Sequence, residues 1–329
     1  MSEDQLDSDY GDFSKKIEYS APQTKIIPVE SITKLEQLKQ KKVVSQLPKT
    51  SANRSDGKDL YRGLRLFNCV MSILHLGQGI AVVILSKAVT ISITTNYLAP
   101  NLVLKRGVPK LEQIFDVRIS FLIAGFLFIS AFAHFMLVLP KIYEWYINNL
   151  KQKIQVARWY EYALSSSIMI VAIAILCGMY DLGSLILLFG LNATMNLFGL
   201  LMEKHNSDIR SLENQITGHD DGSSLEVNKV RWTGFVFGCV AGVIPWVVIS
   251  LYFITALSRT NDIFKVPDFI YFIFYSLFVF FNLFALNMFL QYKQVGPWKN
   301  YTFGERMYIV LSLVAKSALV WQIFIGALR

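Results

Sequence analysis

The sequence predicts an all-α membrane protein of seven transmembrane helices with a short β-hairpin in its first outer loop. Three observations predict it. Hydrophobic residues fill 53% of the 329 positions, charged residues only 17%, and mean hydropathy is +0.40. Seven apolar runs each approach the ~20 residues that cross a bilayer's hydrocarbon core. Between the first two runs lies a stretch that alternates polar and apolar residues with period two, the mark of a half-buried strand.

Residues 1–58 are polar, with scattered Ser, Lys and Asp, and read as a mostly disordered tail; residues 59–329 form the helical domain. The chain opens on Glu3, Asp4, Asp7, Asp9 and Asp12 with no apolar core behind them, so no signal peptide is read. Inside the tail, Thr33-Lys-Leu-Glu36 reads as a capping box. The nearby Lys39, Lys41 and Lys42 either touch anionic lipid or belong to a solvated basic linker.

The spans read as residues 64–86, 119–139, 157–179, 183–202, 232–257, 269–290 and 308–328. Pro245 falls inside the fifth, which is tolerated where neighbours re-satisfy the freed carbonyl. In the long loop of residues 87–116, Thr90-Ile-Ser-Ile-Thr94 reads as a first strand, Ala99-Pro100-Asn101 as the turn and Leu102-Val-Leu104 as β-prone return. The polar loop of residues 203–230 carries Gly218-His-Asp-Asp-Gly222, a flexible turn, because it lacks the ligand count of a calcium site. Cys69, Cys177 and Cys239 fall within spans without metal-ligand spacing and read as apolar packers. Asn53, Asn192 and Asn300 begin N-x-S/T triplets, but they fall inside the membrane or on the inner side, where glycosylation is not expected.

Lysines and arginines near the span ends divide 16 against 8 between the two faces. The positive-inside rule then places the N-terminus in the cytoplasm and the C-terminus outside. No catalytic or metal site and no nucleic-acid surface is read; the expected surroundings are membrane lipid.

The informative residue is Lys316, near the middle of the last span. An ammonium at that depth costs about 2.5–3.5 kcal/mol on insertion scales, so it faces the bundle interior and finds a partner. Glu161, one to two turns into the third span, is the carboxylate placed to be that partner. Ser165, at i+4, shares its face and is expected to bond it. A neutral primary amine condenses with an aldehyde to an imine, and a protonated imine needs a counterion. A lysine in the seventh span with a glutamate in the third is the pairing of a retinal Schiff base. Ser312, one turn before the lysine, is expected to hydrogen-bond that nitrogen. Met169, Met195, Trp246, Phe278 and Phe281 read as ordinary packing one by one, and as walls of a polyene pocket once Lys316 is considered. His75 and His134, with Gln78 and Ser130 near them in sequence, read either as satisfied core histidines or as a water-filled network that accepts a proton.

These residues carry a resemblance. The chain resembles the heliorhodopsins through Leu74-His75-Leu-Gly-Gln78-Gly79, Ser130-Ala-Phe-Ala-His134, Arg158-Trp-Tyr-Glu161-Tyr162, Asn192-Ala-Thr-Met195 with Gly199, Pro245-Trp246, Asn287-Met-Phe-Leu-Gln291 and Ser312-Leu-Val-Ala-Lys316. The resemblance implies a rhodopsin-like bundle with all-trans retinal on Lys316 and Glu161 as counterion. It implies a pocket lined by Tyr162, Ser166, Met169, Asn192, Met195, Gly199, Trp246, Phe281 and Ser312. It further implies His75 and His134 in an inner polar network, a homodimer, and a light sensor without sustained transport that addresses an unknown cytoplasmic partner. Two alternatives stay open: a light-driven or light-gated proton transporter on the same scaffold, and a seven-span metabolite transporter using Lys316–Glu161 as a substrate ion pair.

Overall fold

Apolar runs of this length become helices because a bilayer offers backbone amides no other partner. The computed structural model describes residues 54–103, 105–217, 230–260 and 265–329. The tail before residue 54, the capping box at Thr33 and the turn at Gly218 lie outside the described residues. Among the described residues seven helices are long and apolar enough to cross a membrane, so the chain is a multi-pass integral membrane protein.

The elements run α1 (Arg54–Leu85), β1 (Thr90–Asn101), β2 (Arg106–Arg118), α2 (Ile119–Val138), α3 (Pro140–Lys151), α4 (Val156–Leu176), α5 (Leu182–Thr217), α6 (Thr233–Ser258), α7 (Asp268–Tyr292) and α8 (Tyr301–Ile323), ending in a π turn, Phe324–Leu328. All but α3 among the helices span. Two faces follow: one carries α3, the other carries the hairpin. The third span, α4, is the hub, packed against α2 and α5 and touching α6 and α7.

Three helices differ from the sequence reading. Helix α3 was read as loop, being too short to span. Pro140 starts it, where a missing N–H costs nothing. Tyr143, Tyr146, Ile147 and Leu150 recur with helical period and pack with Leu64 and Leu137. Helix α5 does not stop at residue 202 but continues to Thr217. The Asn206 side chain pins this extension, accepting from the Arg231 amide at 2.9 Å and donating to the Met202 carbonyl at 2.8 Å. Helix α8 begins at Tyr301 rather than 308 because Asn300 caps it, accepting from the Thr302 amide at 3.0 Å.

The hairpin is antiparallel and longer than read, pairing Thr90 with Arg118 through to Asn101 with Arg106. Its turn lies at residues 102–105, not 99–101. Asn101 folds it by accepting from the Val103 amide at 3.0 Å, and Lys105 takes φ +49°. A bulge between Ile93 and Thr94 turns Ile93 into the core. The Thr94 amide then bonds the Tyr180 carbonyl at 2.9 Å, tying the hairpin to the α4–α5 turn. Asp181 in that turn caps α5, accepting from the Ser184 amide at 2.8 Å and its hydroxyl at 2.7 Å.

Candidate functional site

Helices α8 and α4 bring Lys316 and Glu161 together. Lys316 Nζ lies 2.7 Å from Glu161 Oε1 and 2.8 Å from Ser312 Oγ. Both charged residues are buried, at 2% and 8% exposure. The ammonium also sits 5.4 Å from the centre of the Tyr162 ring, within cation–π range.

The carboxylate has a further neighbour besides Ser165, which acts on it from one turn along α4. Ser130, on α2, reaches Glu161 Oε1 at 2.6 Å and its own helix's Phe126 carbonyl at 2.9 Å. One hydroxyl proton serves one acceptor at a time, and a charged acceptor gives the stronger bond.

Beside Lys316 lies a cavity of about 410 Å³ lined by Tyr162, Ser166, Met169, Met195, Phe281 and Ser312 among others. Its mostly apolar walls with few polar groups suit a small organic ligand. Of the residues read for the pocket walls, Asn192, Gly199, Trp246 and Phe278 are outside this lining. Asn192 donates to Ser166 and Ser167 at 2.8 and 3.0 Å. Trp246 meets Phe281 and Phe278 edge-to-face at 5.5 and 5.3 Å. Gly199 lies under Trp159, where an added Cβ would come within 2.2 Å of the ring. Ser165, Asn196, Phe284 and Ala315 also line the cavity; of these, Asn196 and Phe284 were not read from the sequence. Nor was Gly242: a Cβ there would meet Met195 Sδ at 2.6 Å and push it.

A second cavity of about 350 Å³ lies on the α3 side of Glu161, with Asn68, His134, Gln155, Arg158 and Glu305 in its walls. His75 and His134 stack with ring centres 5.7 Å apart. His134 Nδ1 is 2.7 Å from Asn68 Oδ1, while both His75 nitrogens lack a partner among the described residues. Polar walls of this kind hold ordered water. Gln78 stands apart from the histidines, accepting from the Trp321 indole at 3.1 Å.

The sequence reading overlooked a charged cluster at the far end of this cavity. Arg158 ion-pairs with both Glu203 and Glu305, all three nearly solvent-free. The guanidinium lies 3.9 Å from the Tyr308 ring centre. Glu203 also accepts from Trp159 Nε1 at 2.7 Å and the Gln155 amide at 2.8 Å. Tyr146 on α3 donates to Glu305 at 3.4 Å, and burial, then that carboxylate, hold its phenol well above the usual range. Arg158 had counted as an aqueous flank, Glu203 as loop and Glu305 as pre-span. The available signal was spacing: Arg158 and Glu161 are three apart on one helix and share a face.

The fold is a rhodopsin-type seven-helix bundle with a buried lysine at its centre. A family model described as Heliorhodopsin matches residues 64–328, and the chain belongs to the heliorhodopsin family. It is a retinal-binding light-sensing membrane protein of the rhodopsin type. The metabolite-transporter reading of the ion pair falls with that membership. Among curated proteins no match was found.

Proposed function

We propose that this chain is a light sensor in which Lys316 carries all-trans retinal as an imine, Glu161 is the counterion, and no ion moves in steady state. The observation that carries the reading is the buried 2.7 Å contact between Lys316 Nζ and Glu161 Oε1 beside the cavity that Lys316 lines. When bound, retinal supplies visible absorption and the isomerisation that starts the response.

The chain's own residues do the rest. Glu161 compensates the positive charge on the lysine nitrogen, and Ser130 holds the carboxylate from the other side. Ser312 accepts from the nitrogen without neutralising it. Met169, Met195, Phe281 and Phe284 exclude water, while Trp246 stiffens that wall from behind. Glu161 Oε1 is also the nearest atom to accept a proton from Lys316 Nζ. Beyond it, His134 lines the second cavity and leads to His75.

The 16-to-8 distribution of lysine and arginine supports a cytoplasmic α3 face and tail, with the C-terminus outside. In this reading the protein works as a homodimer and addresses a cytoplasmic partner. The second reading, proton transport, draws on the same polar cavity but needs an exit on the hairpin side. The test is an absorption spectrum of the purified chain reconstituted with all-trans retinal. A visible band in wild type that vanishes in Lys316→Ala is the expected result; the same band in both sinks the assignment.

A further inference from the structure

The α3 face carries another polar cavity, separate from the chromophore site. It measures about 470 Å³ and opens between the turn after α3, the α5 extension and the α7–α8 connection. Lys153, Arg210 and Lys299 bring three cations to its walls, beside Tyr292, Gln291 and Trp298. Among the described residues no carboxylate ion-pairs with any of the three cations. The nearby Glu203 is already engaged by Arg158.

The Tyr292 hydroxyl points to a ligand independently. Tyr292 is 9% exposed, and its Oη has no hydrogen-bond partner among the described residues. A buried hydroxyl without an acceptor bears its full desolvation cost. An anionic oxygen in this cavity removes that cost. The cations also need it. Lys153 is held below the usual lysine range by burial and then by the Arg210 charge, and like charges this close repel. Arg210 cannot swing away freely, because it donates to the Gln152 carbonyl at 3.1 Å. Two left-handed residues complete the walls. Lys153 (φ +58°) and Gln294 (φ +54°) end α3 and α7 in turns where glycine is usual, and both line this cavity.

We propose that this cavity binds a phosphate-bearing anion, seated among Lys153, Arg210, Lys299 and the Tyr292 hydroxyl. Phosphate fits better than carboxylate because its several oxygens satisfy a guanidinium, two ammonium groups and a hydroxyl together. An anionic lipid headgroup and a free phosphate offer the same chemistry. The inference does not rest on the light-sensor reading.

The test uses the full chain with two probes. Pyrophosphate is titrated in detergent against chloride at equal ionic strength, with thermal unfolding as readout. In parallel, phosphatidylcholine nanodiscs with and without phosphatidic acid are examined by native mass spectrometry for retained lipid. Binding of either probe is expected, and the double variant Lys153→Gln/Lys299→Gln should weaken it about tenfold or more, as hydrogen bonds to charged groups imply. Tyr292→Phe keeps the ring and removes only the hydroxyl, so it should weaken binding by about threefold. It decides the matter alone if the double variant loses its native circular dichroism. A response to phosphatidic acid only assigns a headgroup; a response to pyrophosphate as well assigns the phosphate itself. No response to either probe, or equal binding by wild type and folded variants, overturns the proposal.

Discussion

The two halves of this bundle differ sharply on either side of Lys316. Toward the α3 face the interior holds Asn68, His75, His134, Arg158, Glu161, Glu203, Asn206 and Glu305, all buried. Toward the hairpin face it holds Ile119, Ile123, Ile173, Ile249, Phe253, Ile273, Leu319 and Ile323. Ser120 is a fully buried polar side chain at that end. The contrast shows how a membrane protein pays for interior charge: polar groups are admitted where they can find one another, and nowhere else. It also gives the site a direction. A proton leaving Lys316 meets acceptors on the α3 side and hydrocarbon on the other.

The largest expected effect lies at the boundary between the halves. Lys316 is the only buried lysine among the described residues, so Lys316→Ala should leave a folded protein with no visible band after retinal is added. The contrast in charge also predicts sidedness. An epitope tag at the N-terminus should stay hidden from antibody on intact cells, and one at the C-terminus should be labelled. Reversed labelling would place the polar half outside.

Next comes stability. Arg158→Met leaves Glu203 and Glu305 buried without their cation, and losing one partner of a buried pair costs about 3–5 kcal/mol. In the apolar half, Ile173→Val removes one methylene from a packed site, at about 0.5–1.5 kcal/mol. Thermal unfolding in detergent measures both. If Ile173→Val proves the more damaging, the polar half is not held together by its ion pairs.

A subtler effect belongs to Glu161. In the proposed site the carboxylate would hold positive charge near the lysine nitrogen, and neutralising it would let that charge spread along a bound polyene. Glu161→Gln should therefore shift absorption to longer wavelength. An unchanged spectrum would mean that the charge is balanced elsewhere, with Glu203 and Glu305 as the next carboxylates to test.

The apolar half was the more legible in the sequence. Long runs without charge state their own structure, and period-two alternation announced the hairpin. The turn moved because the Asn101 side chain, not the Pro100 ring, folds the chain there. Lys316 and Glu161 stood out because each is an isolated charge in an apolar run. Arg158, Glu203 and Glu305 did not. Each sits near a span end, where a charge normally reaches water, and only the packing of α4, α5 and α8 reveals that they neutralise one another. Ser130 was assigned to the histidines rather than to Glu161 for a similar reason. A hydroxyl on α2 has no sequence mark saying which of two neighbours it will choose, whereas Ser165 is tied to Glu161 by its i+4 spacing.

The smallest expected signal is an absent one. Net pumping requires a proton to leave the lysine nitrogen toward one face and return from the other. Glu161, His134 and the cavity shared with Arg158 and Glu305 supply the α3 side. On the hairpin side, Asp181 is committed to capping α5 through Ser184, and the half-buried Ser276–Gln322 pair, 3.1 Å apart, carries no charge. A proton that departs toward His134 therefore returns by the way it left. Voltage clamp under continuous light should show a transient at light onset that decays to no stationary current. A sustained current abolished by Glu161→Gln or His134→Ala would show that the apolar half opens during the response, and would move the protein from sensor to transporter.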